Sequence, residues 1–313
     1  MTRILVTGGA GYIGSIVVEM LLKNNYQVTV ADNFHYNQFS ALNHLIGNSK
    51  LDILKTDIRD SSTINKLISK SDVILPLAAI VGAPACDLNP KQASEINKKA
   101  AISIFKELDR EQLLIMPTTN SAYGTTPEGQ EADENSKLNP LSQYAKEKVE
   151  VEEEMLNYQN TVSFRLATVF GVSPRMRTDL LVNDLTQKAF TNRNLVLFSP
   201  NARRNYIHVR DVAKAILMAI DNPKPFIFGR IFNVGLTEGN MTKMELANEI
   251  EKVIGKISII HKEIGIDPDQ RDYLVSNKKI EEQGFKCDYS ISDGIKELVK
   301  FYSILPKFNF GNI

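Results

Sequence analysis

Tyr144 and Lys148 stand four apart in Tyr144-Ala145-Lys146-Glu147-Lys148, so on a helix they share a face. A nearby ammonium favours tyrosinate and lowers the tyrosine pKa toward working pH. Such a tyrosine can accept a hydroxyl proton while a nicotinamide cofactor takes the hydride from the same carbon. The hydroxyl needs a second hydrogen bond to hold it. Thr119, in the cluster Thr118-Thr119-Asn120-Ser121, is the candidate. Lys148 is also suited to bond the ribose next to the nicotinamide. A Tyr and a Lys four apart are equally common on exposed amphipathic helices, and two threonines can simply end a strand. The chemical reading therefore depends on a cofactor site beside them.

The N-terminus supplies one. Arg3-Ile4-Leu5-Val6 is a short apolar β-type run, Gly8-Gly9-Ala10-Gly11-Tyr12-Ile13-Gly14 a glycine turn, and Ile16–Asn25 a helix-length apolar stretch. Strand, glycine turn and helix form the context in which Gly9-x-Gly11-x-x-Gly14 reads as a dinucleotide fingerprint. Glycines let the backbone turn sharply and approach a pyrophosphate, and the helix N-terminus offers it unpaired N–H groups. A second β-type run, Gln27–Ala31, ends in Asp32, eighteen residues past Gly14. That spacing suits a carboxylate on a ribose 2′-hydroxyl. It favours NAD over NADP, because Asp32 repels a 2′-phosphate and Asn33 offers it no cation.

The remaining elements must bring these two sites together. β-type runs recur at Leu51–Thr56, Asp72–Ala79 (with Pro76 an irregularity), Gln112–Met116 and Val162–Leu166. Helical stretches at Ser61–Lys70, Asn89–Asp109 and Ser142–Tyr158 separate them. Regular βα alternation predicts an α/β fold, a doubly wound parallel Rossmann sheet covered on both faces. The rhythm breaks after Gly171. Loop-like Val172–Arg177, a helix at Asp179–Phe190 and a strand at Leu195–Phe198 follow, then a helix at Val209–Asp221 and a strand at Arg230–Val234. A strand at Lys256–Ile260 and short helices fill the rest. The expected division is a cofactor domain of 1–171 plus about 209–235, with a smaller substrate lobe of 172–208 and 236–313.

Composition narrows the class. Lys+Arg and Asp+Glu both number 37, giving zero formal net charge, which argues against a broad nucleic-acid surface. No apolar run approaches membrane-spanning length. Met1-Thr2-Arg3 leads directly into a strand, so no signal peptide is expected. Cys86 and Cys287 make no zinc spacing or disulfide framework, and four scattered histidines suggest no metal centre. A cytoplasmic enzyme fits this profile.

Over nearly its whole length the chain resembles the extended short-chain dehydrogenase/reductases that act on nucleotide sugars. Gly8-x-x-Gly11-x-x-Gly14, with Tyr12 and Ile13 inside it, is similar to their cofactor turn. Asp32-Asn33 resembles the NAD-selecting acid and its neighbour, Asp57-Ile58 the pair beside the adenine, and Leu77-Ala78-Ala79 the strand end along the cofactor. Thr119, Tyr144 and Lys148 match the Ser/Thr-Tyr-Lys triad. Arg204–Ala213 resembles the block whose first arginine meets the nucleotide diphosphate, and Arg271-Asp272-Tyr273 is a second phosphate candidate. An arginine fork suits a diphosphate, although either arginine also fits a surface ion pair. The resemblance places Val81, Gly82, Asn120 and Thr168 along the substrate. It also implies a homodimer or homotetramer paired through the helices at Asn89–Asp109 and Ser142–Tyr158, with Ile96, Ile102, Phe105, Val149 and Met155 as candidate contacts.

Three departures bear on the reaction. Asn120-Ser121 stands where the family's 4,6-dehydratases carry Asp-Glu, so no acid is placed to eliminate water; the sugar-acid decarboxylases carry a glutamate there too. Thr168 stands where the family usually has asparagine. Ala79-Ile80-Val81-Gly82-Ala83-Pro84-Ala85-Cys86 looks like a subgroup oxidising C4 of GDP-heptoses for capsule assembly. The expectation is NAD-dependent oxidation of a nucleotide-sugar hydroxyl, at C4, with release of the 4-keto sugar. The alternatives are a 4-epimerase, in which the keto sugar is reduced again on its other face, and a non-catalytic NAD-binding regulator.

Overall fold

In the computed structural model, which describes residues 1–127, 129–262, 271–305 and 311–312, Arg3–Thr7 forms strand β1, buried at every position after Arg3. Burial follows from its place in the sheet. Gln27–Asp32 (β2) pairs parallel on one side, followed outward by Leu51–Lys55 (β3). Val73–Pro76 (β4) pairs parallel on the other, followed by Leu113–Thr119 (β5), Thr161–Leu166 (β6) and Ile231–Val234 (β7). The order is therefore β7-β6-β5-β4-β1-β2-β3. It reverses between β1 and β4, where an open α/β sheet leaves a crevice at its carboxyl ends. β1 delivers the glycine turn to that crevice, and β5 delivers Thr119.

Two apolar layers cover the sheet. The helix Tyr12–Lys23 packs one face beside Val209–Asp221, through Val17, Val18, Leu21, Val212 and Ile216. Ser61–Ile68, the helical stretch 90–106 and Gln143–Met155 cover the other, through Ile64, Ile104, Phe105, Val151 and Met155. A third cluster, with Leu185, Leu246, Ile250, Ile295 and Leu298, joins the helices Leu181–Asn192, Lys243–Ile254 and Ile291–Ile304. Residues 263–270 and 306–310 of the proposed substrate lobe lie outside the described residues.

Several elements differ from their sequence reading. β4 stops at Pro76 instead of continuing to Ala79, although Leu77 N still donates to Thr7 O at 3.0 Å. Leu77–Ala79 peel away and become cleft wall. β5 runs on to Thr119. The expected helix at Asn89–Asp109 starts at Pro90, with the Asn89 side chain capping Gln92 N at 3.1 Å, and ends at Lys106. It contains a π-turn, Glu95–Ala100. That turn brings Asn97 against Ile80: its Oδ1 accepts from Ile80 N and its Nδ2 donates to Ile80 O, both at 2.8 Å. The asparagine amide thus takes the place of a neighbouring strand where β4 has ended. A short helix, Ala83–Leu88, occupies a stretch that the sequence had not marked as helical.

Candidate active site

The glycine turn is shaped by close approach. Gly8 has φ +72°, and a Cβ there would sit 2.6 Å from Ala78 N. A Cβ at Gly14 would collide with the Gly8 carbonyl oxygen. Only glycine fits either place without displacing backbone. Asp32, at the end of β2, accepts from Ala10 N at 2.9 Å and from Phe34 N at 2.7 Å. Burial raises its pKa, and these two N–H groups oppose the rise.

Two connected hollows run along the carboxyl ends of the strands. Gly8, Gly11, Asp32, Asn33, Ile58, Leu77, Ala78 and Ala79 line the first. Its lining combines glycines, the Asp32 carboxylate and apolar side chains, a set that suits the adenosine half of a dinucleotide. The second holds Tyr12, Ile13, Gly14, Thr119, Tyr144, Lys148, Val81, Gly82, Thr168 and Arg271. The expected triad, the far end of the glycine turn and four of the six expected substrate residues therefore share one cavity.

Tyr144 and Lys148 belong to the helix Gln143–Met155, capped by Ser142, whose hydroxyl accepts from Ala145 N at 3.2 Å. The helix is anchored by its far turn. Glu152 and Arg165 are both buried, joined by a bidentate ion pair with Arg165 Nη2 at 2.6 Å from Glu152 Oε1. Thr118 and Ser163 also donate to Glu152. Lys148 Nζ reaches Pro117 O at 3.4 Å. Thr119 donates to Ser121 Oγ at 2.9 Å, and Arg271 donates to the same oxygen.

The electrostatics depart from the sequence expectation. Burial pushes Tyr144 up to about 12, helped by Cys86 and opposed by Arg177 and Arg271. Burial also draws Lys148 down to about 8. Lys148 is not among the groups that lower the tyrosine; Arg177 and Arg271 are.

Three expected residues do not line the hollows. Asp57 stands just behind Thr56, held below the usual carboxylate range first by its hydrogen bond from Arg59, and it accepts from Asn33 at 3.2 Å. Asn120 is completely buried, with neither amide atom hydrogen-bonded among the described residues. Arg204 is also completely buried, 5.6 Å from the Tyr273 ring, and donates to the carbonyls of Arg203 and Arg271. It meets the cavity through Arg271 and not directly. The sequence reading missed Arg175, Arg177 and Tyr36, all of which line the second hollow. Their only signal was two arginines in a loop after Gly171.

These features define a Rossmann-type α/β protein whose glycine turn shares a cavity with Tyr144 and Lys148, and the comparisons give its family. The profile of the NAD dependent epimerase/dehydratase family matches residues 4–235, and the chain belongs to that family. It is an enzyme, and NAD is its cofactor. The chain is 29% identical over 310 residues to a putative UDP-glucose 4-epimerase of Methanocaldococcus jannaschii, covering 95% of this chain and 97% of that one. It is 26% identical to a dTDP-D-glucose 4,6-dehydratase of Mus musculus, covering 96% and 88%. Among solved structures it matches UDP-glucuronic acid 4-epimerase from Bacillus cereus with UDP-glucuronic acid and NAD (TM-score 0.85, 24% identity, 97% and 100% covered). It also matches Thermus thermophilus UDP-glucose 4-epimerase with NAD (TM-score 0.79, 23% identity, 96% and 99% covered). The likeness of the solved structures confirms the doubly wound fold. Among the described residues no helix is long and apolar enough to cross a membrane, and no cluster of His, Cys, Asp and Glu could hold a metal.

Proposed function

We propose that this chain interconverts nucleotide sugars epimeric at C4. The observation that carries the reading is the single cavity in which Thr119, Tyr144 and Lys148 adjoin the glycine turn. NAD, when bound, supplies the hydride acceptor and a positively charged nicotinamide ring. Thr119 then orients the C4 hydroxyl, and Tyr144 takes its proton. Lys148 holds the nicotinamide ribose. Arg177 and Arg271 already favour the tyrosinate, and the cationic ring adds to them. In the reverse half-reaction Tyr144 returns the proton as the sugar is reduced on its other face. Gly8, Gly11, Tyr12, Ile13, Gly14, Asp32, Asn33, Asp57, Ile58 and Leu77–Ala79 are the proposed cofactor contacts. Val81, Gly82, Thr168 and Arg271 are the proposed substrate contacts, with Asn120 and Arg204 behind them.

The epimerase reading is favoured over release of a keto sugar because three of the four relatives above are named as 4-epimerases and the fourth as a 4,6-dehydratase, and none supports a heptose 4-dehydrogenase. One observation favours the second reading. The Ala79–Cys86 block, which suggested that subgroup, contributes Val81 and Gly82 to the cavity. Purified protein incubated with a panel of UDP-, dTDP- and GDP-sugars separates the two. A C4 epimer without net NADH supports the epimerase. A 4-keto sugar with one NADH per turnover supports the dehydrogenase, and neither product from any sugar overturns both.

We also infer a homo-oligomer, a dimer or a tetramer, paired through the helical stretch 90–106 and Gln143–Met155. Of the five expected contacts, Ile96, Phe105 and Met155 pack into the chain's own core. Ile102 and Val149 remain partly exposed for a second copy.

A further inference from the structure

Arg175 is 3% exposed, yet its Nη2 is buried without a hydrogen-bond partner among the described residues. A buried cation without a partner is costly. Its neighbour Arg177 differs, being paired with Asp179 through Nε at 3.1 Å. Arg175 instead lies over the Tyr36 ring, 4.4 Å from its centroid, and the Tyr36 hydroxyl is also buried without a partner. Both residues line both hollows, together with Gly8, Gly11, Leu77 and Ala79. Those shared residues mark the junction of the hollows, and in a dinucleotide the two halves meet at the pyrophosphate.

The backbone before Arg175 is fixed to that junction. Tyr12 donates its hydroxyl to Gly171 O at 2.7 Å, Ser173 donates to Tyr12 O at 2.7 Å, and Ser15 and Ser173 hydroxyls meet at 3.0 Å. Tyr12 and Ser15 belong to the first turn of the glycine-turn helix. The loop is therefore tied across the N-terminus of the helix whose N–H groups face the phosphates. A guanidinium two residues further along would face the same anion, with the fork geometry that suits phosphate oxygens. We propose that Arg175 is a pyrophosphate ligand for the cofactor, closing the glycine turn from the lobe side, with the Tyr36 ring as the shelf that orients its guanidinium. This rests on NAD as cofactor and not on the reaction at C4.

The test uses the cofactor-stripped full-length chain, with Arg175→Met and Arg175→Lys beside the wild type, titrated with NAD, ADP and adenosine. Arg175→Met is expected to lose roughly 10- to 100-fold in affinity for NAD and ADP, the usual weight of hydrogen bonds to a charged group. Adenosine, which has no phosphate, should bind as in the wild type, and Arg175→Lys should recover part of the loss. The melting temperature without nucleotide should stay level or rise, because an unpaired buried cation has gone, while the increment added by NAD shrinks. The proposal is overturned if NAD affinity stays within threefold. It is equally overturned if adenosine weakens in proportion. A wild type that binds no NAD would instead remove the cofactor reading itself.

Discussion

Tyr144 and Lys148 carry opposite perturbations, and each yields a measurement. Tyr144→Phe removes one oxygen and keeps the ring. Turnover should fall by about 10²–10⁴-fold, the range for a positioned acid/base group, with NAD affinity little changed. Thr119→Val should slow turnover less, because it orients the hydroxyl without accepting its proton. Near-normal turnover of Tyr144→Phe on the true substrate would place the chemistry elsewhere. Burial holds Lys148 near 8 in the folded protein, below the unfolded value of about 10.4. Between those two values the unfolded chain binds more protons, so stability rises with pH through that window. Below it the folded protein carries the whole penalty of a buried ammonium. The advantage in melting temperature of Lys148→Met over wild type should therefore be largest near pH 7 and shrink toward pH 10. At this scale the sequence was legible where function has a short period. Tyr144 and Lys148 are one helical turn apart, and Gly8, Gly11 and Gly14 sit within one strand–helix turn. Arg175 and Tyr36 were illegible because their meeting depends on a long-range loop tie. The raised Tyr144 pKa was illegible too, because how deeply one polar side chain is covered in a cleft is set by segments distant in sequence.

The elements that hold the site owe their positions to buried polar side chains. Arg165 on β6 and Glu152 on the Tyr144 helix are each about 4% exposed, and truncating one leaves the other a buried unpaired charge. Arg165→Met should cost about 3–5 kcal/mol, read as a lowered urea midpoint. Asn97 performs a similar task on the other side of the cleft, where it satisfies both backbone groups of Ile80. Asn97→Leu should cost about 1–3 kcal/mol and weaken NAD binding, because Leu77–Ala79 and Ile80 form one wall of the cofactor hollow. A loss of stability with unchanged NAD affinity would show that this wall keeps its shape without the amide. The strand run read as Asp72–Ala79 and the helix read as Asn89–Asp109 were each right in kind and wrong in detail for one linked reason. β4 ends early, at Pro76, and the π-turn supplies the replacement partner. Apolar periodicity reports which face is buried; it carries no information about one asparagine substituting for a strand.

At the scale of the molecule, the cofactor preference and the proposed pairing of two copies can both be measured in solution. Asp32 lies at the adenosine end with its carboxylate fixed by two N–H groups, so NAD should bind much more tightly than NADP. Asp32→Ala should narrow that gap without unfolding the chain; equal affinities in the wild type would contradict the assignment. Light scattering at micromolar concentration should give at least twice the 35.1 kDa chain mass. The parallel sheet was readable because βα alternation admits few topologies. The course of the chain after Gly171 was harder, since its short elements have no repeating order. The chain leaves the sheet after β6 and returns only at Ile231–Val234 to form β7. In between, Val209–Asp221 comes back to cover the same face as the glycine-turn helix. A ribosome must therefore release more than two-thirds of the polypeptide before the nucleotide fold can close. Until then β6 presents a bare edge and the apolar surface that receives Val212 and Ile216 stays uncovered, so a transcript cut short before residue 231 yields an aggregation-prone fragment and not a smaller working enzyme.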